Sequence, residues 1–288
     1  MRIAEDGSLT AAASQLGKSL PAVVRMLAAL EDNLQVRLFN RTTRRIALTE
    51  EGRLYLERCR KILADIEETE LALSRHQIEP HGSITLTAPV RFGEMHIAPL
   101  VTRFLEQYPK VRVKLLLLDR LTNLLDEGID LAVRIAHLDD SSLIARLVGA
   151  IKQVAVACPA LLESLGGAPQ HPQQLTDLPC VRCTSMSSSP TWLFNEYGKR
   201  LDVHVDATFV CNQIQSSVDA CVAGHGYGVF FDYQVKPWLD RKELEIVLPD
   251  FEPAALPLSL VYPHTRLMAT RVRILVDWLA QDLKRSLG

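Results

Sequence analysis

Two short helical segments joined by a tight turn set the strongest limit on how this chain can begin to fold. Ser8 or Thr10 can cap the first segment, three successive alanines favour its helix, and Gly17 can end it. Ser19 can cap a second helix, with Pro21 in its first turn, where proline leaves no intrahelical bond unmade. The apolar residues of that helix recur at helical spacing, at Val23, Leu27, Leu30 and Leu34. This pattern predicts a helix-turn-helix, with a generic helical hairpin as the alternative.

A basic hairpin is predicted directly after these helices. The segments 37–39 and 45–48 read as two short strands. The tip between them brings three arginines together, Arg41, Arg44 and Arg45. Such a wing can place guanidinium groups on phosphates or in a minor groove while the preceding helix lies in the major groove.

The charge of the chain is unevenly distributed. The formal net charge is −2, yet the segment 15–61 holds ten basic and five acidic residues, so it carries +5 and the remainder carries −7. A basic segment on an acidic body is expected where only one part of a protein meets phosphates. Many solvated surfaces have a similar balance, so the charge supports a nucleic-acid partner without establishing it.

A long helix is predicted to follow the wing. Thr49 can cap it, and Glu50 and Glu51 suit the positive end of the helix dipole. Apolar residues continue the pattern to about Arg75, and Pro80 with its neighbouring glycine then breaks it. The helix therefore marks the boundary of the first part of the chain.

From Ser83 onward strands alternate with helices, which predicts an α/β body. The expected strands are Ile84–Ala88, Val111–Leu118, Ile129–Ile135, Pro179–Cys183, Leu201–Val210, Val229–Phe231 and Pro257–Tyr262. We expect Val111–Leu118, a nearly continuous apolar run, to be buried on both faces. The expected helices run from Pro89 to about Tyr108, up to Gly128, over Gln213–Ala223, and along the last apolar stripe from Val272 to Leu283.

Residues at many fixed offsets match one known family. The N-terminal part resembles the winged helix-turn-helix of LysR-type transcriptional regulators. The stretches that carry this likeness are Glu5–Ser8, Ala11–Ala13, Leu16–Ser19, Pro21–Val23, Arg25, Leu30–Glu31, Val36–Arg41 and Leu48–Gly52. The body is similar to the effector domain of the same family. The matching stretches there are Ser83–Leu86, Leu105–Pro109, Gly128–Arg134, Asp140–Leu143, Ala223–Val229 and Pro249–Asp250.

The resemblance implies a winged helix-turn-helix DNA-binding domain over 1–52, with Ser19–Glu31 as recognition helix and Arg41–Arg45 as wing. It also implies a linker helix over 49–76 that pairs two chains. The residues that it places at DNA are Thr10, Ser19, Leu20, Pro21, Val24, Arg25, Arg41, Thr42, Thr43, Arg44 and Arg45.

Three features depart from the family pattern. Glutamine often stands in the family where this chain has Leu20, and serine where it has Val24. We expect these two side chains to contact thymine methyl groups or sugars, with packing inside its own domain as the alternative for Val24. Ser19 and Arg25 then make more of the polar contacts. Only Met1–Ala4 stand where the family has most of a first helix, so we expect a truncated first helix and weakened DNA binding.

The resemblance further implies a two-lobed effector domain over 83–288, akin to periplasmic solute-binding proteins, with a ligand cleft between the lobes. Its first lobe is expected over 83–158 and 262–288, and its second over 159–261. Ligands in such sheets lie beyond the carboxyl ends of the strands, close to helix N-termini that attract anions. We therefore predict a small anion, held near Arg91 and Ser185. The full set of candidate cleft residues is Pro89, Arg91, Phe92, Gly93, Arg134, Thr184, Ser185 and Asn212. The alternatives are a surface role for Arg91 and a structural ion pair for Arg134.

Other chemistry finds little support in the sequence. The glycines at 224–228 follow a predicted helix, whereas a dinucleotide loop precedes one, so they indicate a turn. Cys180 and Cys183 have metal or redox spacing but no second pair, so buried free thiols are favoured. The histidines and carboxylates show no metal or catalytic spacing. We expect no cofactor, metal, catalytic residue or membrane partner, and, since no signal peptide opens the chain, a cytoplasmic protein.

These expectations together describe a ligand-responsive transcription factor. Its expected partners are double-stranded DNA, a small-molecule effector, a second copy of the chain in a dimer or homotetramer, and RNA polymerase if it is an activator. The alternative is a solute-binding or enzymatic α/β protein with an accessory helical segment.

Overall fold

The computed structural model describes residues 1–6, 8–41, 46–73, 79–120, 122–138, 143–263 and 268–287. The chain divides into two compact units, residues 1–79 and 80–288. The first unit, which we call the head, holds four helices and a two-stranded hairpin in its described part. These elements are α1 (Arg2–Asp6), α2 (Leu9–Gln15), α3 (Leu20–Leu34), β1 (Phe39–Arg41), β2 (Ile46–Leu48) and α4 (Glu50–Leu73).

The head is a winged helix-turn-helix, as predicted. Its core forms where Leu27 of α3 packs against Leu38 and Phe39, with α1, β2 and α4 contributing partly buried apolar side chains. Helix α3 ends at Leu34, three residues beyond Glu31, where the family resemblance placed the end of the recognition helix. Leu30, expected on the buried stripe, is 37% exposed. The first strand begins at Phe39 rather than Arg37, because a side chain of α3 takes the amide hydrogens at 38 and 39.

The second unit contains two five-stranded sheets. The strands of the first sheet are β3 (Gly82–Ala88), β4 (Val111–Leu117), β5 (Leu131–Ile135), β6 (Leu143–Ile151) and β14 (Leu256–Pro263). The remaining strands are β7 (Gln153–Ala157), β8 (Cys180–Cys183), β9 (Thr191–Glu196), β10 (Lys199–His204), β11 (Ala207–Cys211), β12 (Tyr227–Phe231) and β13 (Glu245–Val247). The first sheet has the order β4-β3-β5-β14-β6, the second the order β11-β8-β12-β7-β13, and β9 pairs with β10 in a separate hairpin.

Helices cover these sheets and complete two separate apolar cores, one for each lobe. The helices are α5 (Val90–Phe92), α6 (Ala98–Gln107), α7 (Pro159–Ser164), α8 (Ile214–Val222), α9 (Asp232–Asp240) and α10 (Thr270–Leu287). A π-helical turn (Gly93–Ile97) joins α5 to α6, and two 3₁₀ turns lie at Pro172–Asp177 and Pro249–Phe251. The α/β class and the two-lobed architecture are thus confirmed.

The chain crosses between the lobes earlier than predicted. Strand β6 ends in the first sheet at Ile151, and β7 begins in the second sheet at Gln153, so the first crossing is at Lys152 rather than near residue 158. The return lies within 252–255, because β14 already belongs to the first sheet from Leu256. The predicted lobe boundaries at 158–159 and 261–262 are therefore corrected by about six residues on each side.

Three predicted elements differ from the structure. The run 111–118 is not buried on both faces, because β4 is an edge strand that exposes Arg112 and Lys114. The helix expected before Gly128 is a series of hydrogen-bonded turns. The single strand expected over 201–210 is two strands in different sheets, because residues 205–206 interrupt it and β10 pairs with β9 while β11 pairs with β8.

Candidate functional site

The turn between α2 and α3 has the geometry of a helix-turn-helix. The Ser8 hydroxyl accepts the amide hydrogen of Ala11 at 3.3 Å and caps α2. Gly17 ends the helix region at φ +61°, a left-handed conformation in which glycine avoids the cost of a Cβ. Ser19 occupies the N-cap position of α3, but its side chain makes no capping bond, contrary to expectation.

The first turns of α3 present a mixed apolar and basic face. Leu20 is 41% exposed, and Pro21 and Arg25 are also exposed, as are Thr10 and Ser19. Val24 is half-buried, which agrees with packing inside its own domain more than with a fully available contact. The face can therefore offer an apolar surface and one guanidinium to a partner.

Side-chain hydrogen bonds fasten the hairpin to the helices. One carboxylate oxygen of Glu31, on α3, accepts the amide hydrogens of Leu38 at 2.8 Å and Phe39 at 3.1 Å. The Thr49 hydroxyl donates to the Arg37 carbonyl at 2.7 Å and accepts the amide hydrogen of Gly52 at 2.9 Å, so it caps α4 as predicted. These bonds fix the position of the hairpin relative to α3 and α4.

The wing tip itself lies largely outside the described residues. This holds for Thr42, Thr43, Arg44 and Arg45, and only the backbone of Arg41 is described. Their assignment to DNA stays a prediction.

A cavity of about 220 Å³ lies between the two lobes of the second unit. It is larger than the roughly 150 Å³ that holds a benzene molecule in a protein core. The first lobe lines it with residues at the carboxyl ends of β3 and β5 and after β4, and the second lobe with residues after β8 and at the end of β12. This is the predicted cleft, and it contains Pro89, Arg91, Arg134 and Ser185 of the candidate set.

The charges that line the cavity are mostly positive. Three arginines, Arg91, Arg120 and Arg134, face one carboxylate, Asp119. Asp119 accepts the amide hydrogen of Val90 at 2.9 Å. A lining of this kind favours a ligand that brings negative charge.

Arg91 is the cation with the least satisfied donors. Its Nε is buried and has no hydrogen-bond partner among the described residues, while its Nη1 lies 3.4 Å from the Glu94 carboxylate. Arg120 instead forms two bonds with Glu127, at 2.8 and 2.7 Å. Arg134 donates to the backbone carbonyl and hydroxyl of Thr122. Arg91 is therefore best placed to bind a ligand oxygen.

Four predicted cleft residues do not line the cavity. Phe92 is fully buried in the core of the first lobe, and Gly93 is buried against the Leu117 side chain. The hydroxyl and amide of Thr184 both bond the Cys211 carbonyl, at the pairing of β8 with β11. Asn212 is exposed and is not the cap of α8, because the N-cap is Gln213. These four residues lie near predicted strand ends, but their burial, their hydrogen bonds or their exposure keep them out of the cavity lining.

Sequence reasoning missed several lining residues. Arg120 follows a predicted strand, and Phe231 ends another, so the same strand-end rule could have selected both. Met186 directly follows Ser185 and could have been selected by the same rule, whereas Tyr233 and Gln234 carried no such signal, since helix α9 was not predicted.

An aromatic contact connects the lobes beside the cavity. Tyr233, from the second lobe, packs edge-on against Phe92 and His96 of the first lobe, with ring centroids 5.2 and 5.5 Å apart. Burial lowers the pKa of His96, whose Nε2 is buried without a partner in the described structure. Burial also raises the pKa of the Tyr233 hydroxyl. Both groups are therefore held neutral near pH 7.

The His96→Phe variant is expected to lose part of the acid sensitivity of folding. The unfolded chain binds a proton at His96 more readily than the folded chain, so the free energy of unfolding falls as pH drops below about 6.5. One such group contributes at most about 1.4 kcal/mol per pH unit. Denaturant unfolding between pH 5 and 7 measures this slope, with exposed His225→Gln as control. Parallel curves for His96→Phe and the native chain would contradict the assignment.

Three findings concern metal ligands, cysteines and membrane spans in the described part of the chain. It contains no group of three or more His, Cys, Asp or Glu residues able to hold a metal ion. All six cysteines are free, and burial raises the pKa of the Cys180 thiol to about 12. None of its helices is both long and apolar enough to cross a membrane.

Comparison with known proteins decides the family. The model of the bacterial regulatory helix-turn-helix protein, lysR family, matches residues 1–53, and the model of the LysR substrate binding domain matches residues 77–284. The chain belongs to the LysR family of transcriptional regulators. It is 32% identical to the HTH-type transcriptional regulator PtxR of Pseudomonas aeruginosa over 284 residues. This matched region covers 99% of this chain and 91% of PtxR.

Solved structures of LysR-type regulators share the fold of this LysR family member. CrgA of Neisseria meningitidis matches with a TM-score of 0.64 and 29% identity, covering 98% of this chain and 96% of CrgA. The full-length virulence activator AphB of Vibrio cholerae matches with a TM-score of 0.64 and 25% identity, covering 97% of this chain and 95% of AphB. As a LysR-type regulator, the chain binds DNA through its head and a small-molecule effector through its second unit.

Proposed function

We propose that this LysR-type regulator acts in the cytoplasm as a homotetramer that binds imperfect inverted repeats in promoters and responds to a small anionic effector. Pairing of two chains through the linker helix places two recognition helices on successive major grooves. Where the regulator activates transcription, RNA polymerase is a further partner. The observation that carries the effector class is the cleft lining of three arginines against one aspartate.

The exposed start of α3 supports the DNA part of the proposal. Leu20 offers an apolar contact for a thymine methyl group, and Arg25 offers a guanidinium for a guanine or a phosphate. The Ser19 hydroxyl is not consumed by helix capping, which leaves it for DNA. The wing arginines would add phosphate contacts that fix the register.

The two crossings between the lobes support coupling of effector and DNA binding. A ligand in the cleft contacts both lobes, and the chain passes between them at Lys152 and within 252–255. Small rotations at such crossings change the lobe arrangement. An effector shifts this equilibrium only by binding one arrangement more tightly than the other.

Arg25→Ala is expected to weaken binding to a specific duplex by about 1–3 kcal/mol, and to relax base preference at one position. The duplex is first selected from a randomised pool by the full chain, and affinity is then measured by fluorescence anisotropy. Arg241→Ala serves as control, because Arg241 is an exposed arginine of the second unit paired with Glu243. Equal affinities of Arg25→Ala and the native chain would remove α3 from the DNA interface.

A further inference from the structure

Another cavity, of about 310 Å³, lies mainly in the second lobe, and Leu256 at the start of β14 also lines it. We call it the rear chamber. It lies where the hairpin β9–β10 folds over the end of β8 and the middle of β12. Its volume is about twice that of a protein cavity known to hold benzene. A small organic molecule therefore fits inside it.

The rear chamber lies next to the effector cleft, and the charged residues that line the cleft do not line the rear chamber. Met186 and Phe231 line both cavities, so these two side chains form the wall between them. The three cleft arginines and Tyr233 line only the cleft, whereas Arg182 and Trp192 line only the rear chamber. A ligand in the rear chamber would have its own recognition groups.

One side of the rear chamber is apolar and aromatic. Trp192 is 7% exposed and belongs to the core of the second lobe, and Met186 packs against that core. Phe231 completes the wall toward the cleft. Aromatic rings and a methionine thioether offer a surface on which a flat apolar group packs well.

The other side carries Arg182, for which the described residues provide no carboxylate partner. The Arg182 guanidinium donates one bond, from Nη2 to the Ser188 carbonyl at 3.0 Å, and pairs with no carboxylate in the described structure. Arg200, which also lines the rear chamber, differs because its Nε bonds both oxygens of Asp202, at 2.9 and 3.1 Å. Arg182 thus keeps donors that an oxyanion can accept from.

We propose that the rear chamber is a second small-molecule site, and that it binds an amphipathic anion. The carboxylate or sulfonate of the ligand pairs with Arg182, and its aromatic body packs between Trp192 and the wall of Met186 and Phe231. Because Met186 and Phe231 line both cavities, only the thickness of one side chain separates the rear chamber from the effector cleft.

Calorimetric titration of the full chain with naphthalene-2-carboxylate tests this site. We expect binding with one ligand per chain, weakened tenfold or more in Arg182→Gln, because a hydrogen bond to a charged group is lost. A second variant, Ser189→Trp, places a bulky ring at an exposed position of the lining and should also abolish binding. The control Arg241→Gln removes an exposed arginine of the same lobe, outside both cavities, and should bind like the native chain.

The variant Arg91→Gln separates the rear chamber from the effector cleft. Unchanged affinity in Arg91→Gln, together with the losses above, supports the rear chamber. Loss in Arg91→Gln equal to that in Arg182→Gln would place the ligand in the cleft and overturn the proposal. It is also overturned if the native chain does not bind this probe, or if Arg182→Gln and Ser189→Trp both bind it normally.

Discussion

Gly52→Ala is expected to destabilise the head by about 1–3 kcal/mol and to abolish specific DNA binding at physiological temperature. A Cβ atom at position 52 would lie 2.0 Å from the Leu38 carbonyl oxygen, closer than any real contact. The obstacle is backbone, so no rotation of a side chain relieves it. Either α4 or the first wing strand must move, and the bonds from Thr49 to Arg37 and Gly52 would then break.

Thermal unfolding followed together with anisotropy on the selected duplex measures this effect. Glu57→Ala is the matched control, because Glu57 is exposed one and a half turns further along α4. The control should stay within about 0.5 kcal/mol of the native chain. Because residues 80–288 form a separate compact unit, ligand binding there should survive in Gly52→Ala. If Gly52→Ala keeps native stability and native DNA affinity, position 52 does not pack closely against the Leu38 backbone.

Arg91→Gln is expected to weaken anion binding in the effector cleft by ten- to a hundredfold. The side chain keeps a buried Nε without a partner in the described structure, and a bond from a guanidinium to a carboxylate contributes about 1.5–3 kcal/mol. Glutamine keeps a polar amide group but is shorter than arginine, and it lacks both the positive charge and the Nε donor. The expected loss therefore reflects the missing charge together with the missing donor.

Thermal stabilisation of the full chain by a panel of small aliphatic carboxylates, including succinate and 2-oxoglutarate, measures that loss. The most stabilising acid is then titrated against Arg91→Gln and against Arg241→Gln, the latter an exposed arginine that pairs with Glu243 outside the cleft. The control should retain the full shift. If Arg91→Gln retains it as well, the anion does not bind at Arg91.

The head was predictable because its signals are local. The capping bonds of Ser8 and Thr49 reach only three residues along the chain, Gly17 acts at its own position, and all three perform the capping or turn role that their residue type favours. Ser19 shows the limit of such reasoning, since it occupies the cap position without making the bond.

The cleft was predictable only in outline, because it depends on long-range packing. The rule that ligands lie beyond strand ends located Arg91 and Ser185, but it could not tell which way Phe92 or Thr184 points. Strands β6 and β7 were missed, and with them the crossing at Lys152. Tyr233 enters the site from a helix whose internal Pro237 disguises its pattern.

Retention of duplex DNA by the full chain, measured against salt concentration, tests the central claim most directly. With a duplex selected from a randomised pool, the logarithm of the binding constant should fall linearly with the logarithm of salt concentration, by about 0.9 for each phosphate contacted. A slope corresponding to several contacts is the predicted result. Failure to retain any duplex at the lowest salt, or an affinity that salt does not change, would contradict the claim that this LysR-type regulator binds DNA through its basic head.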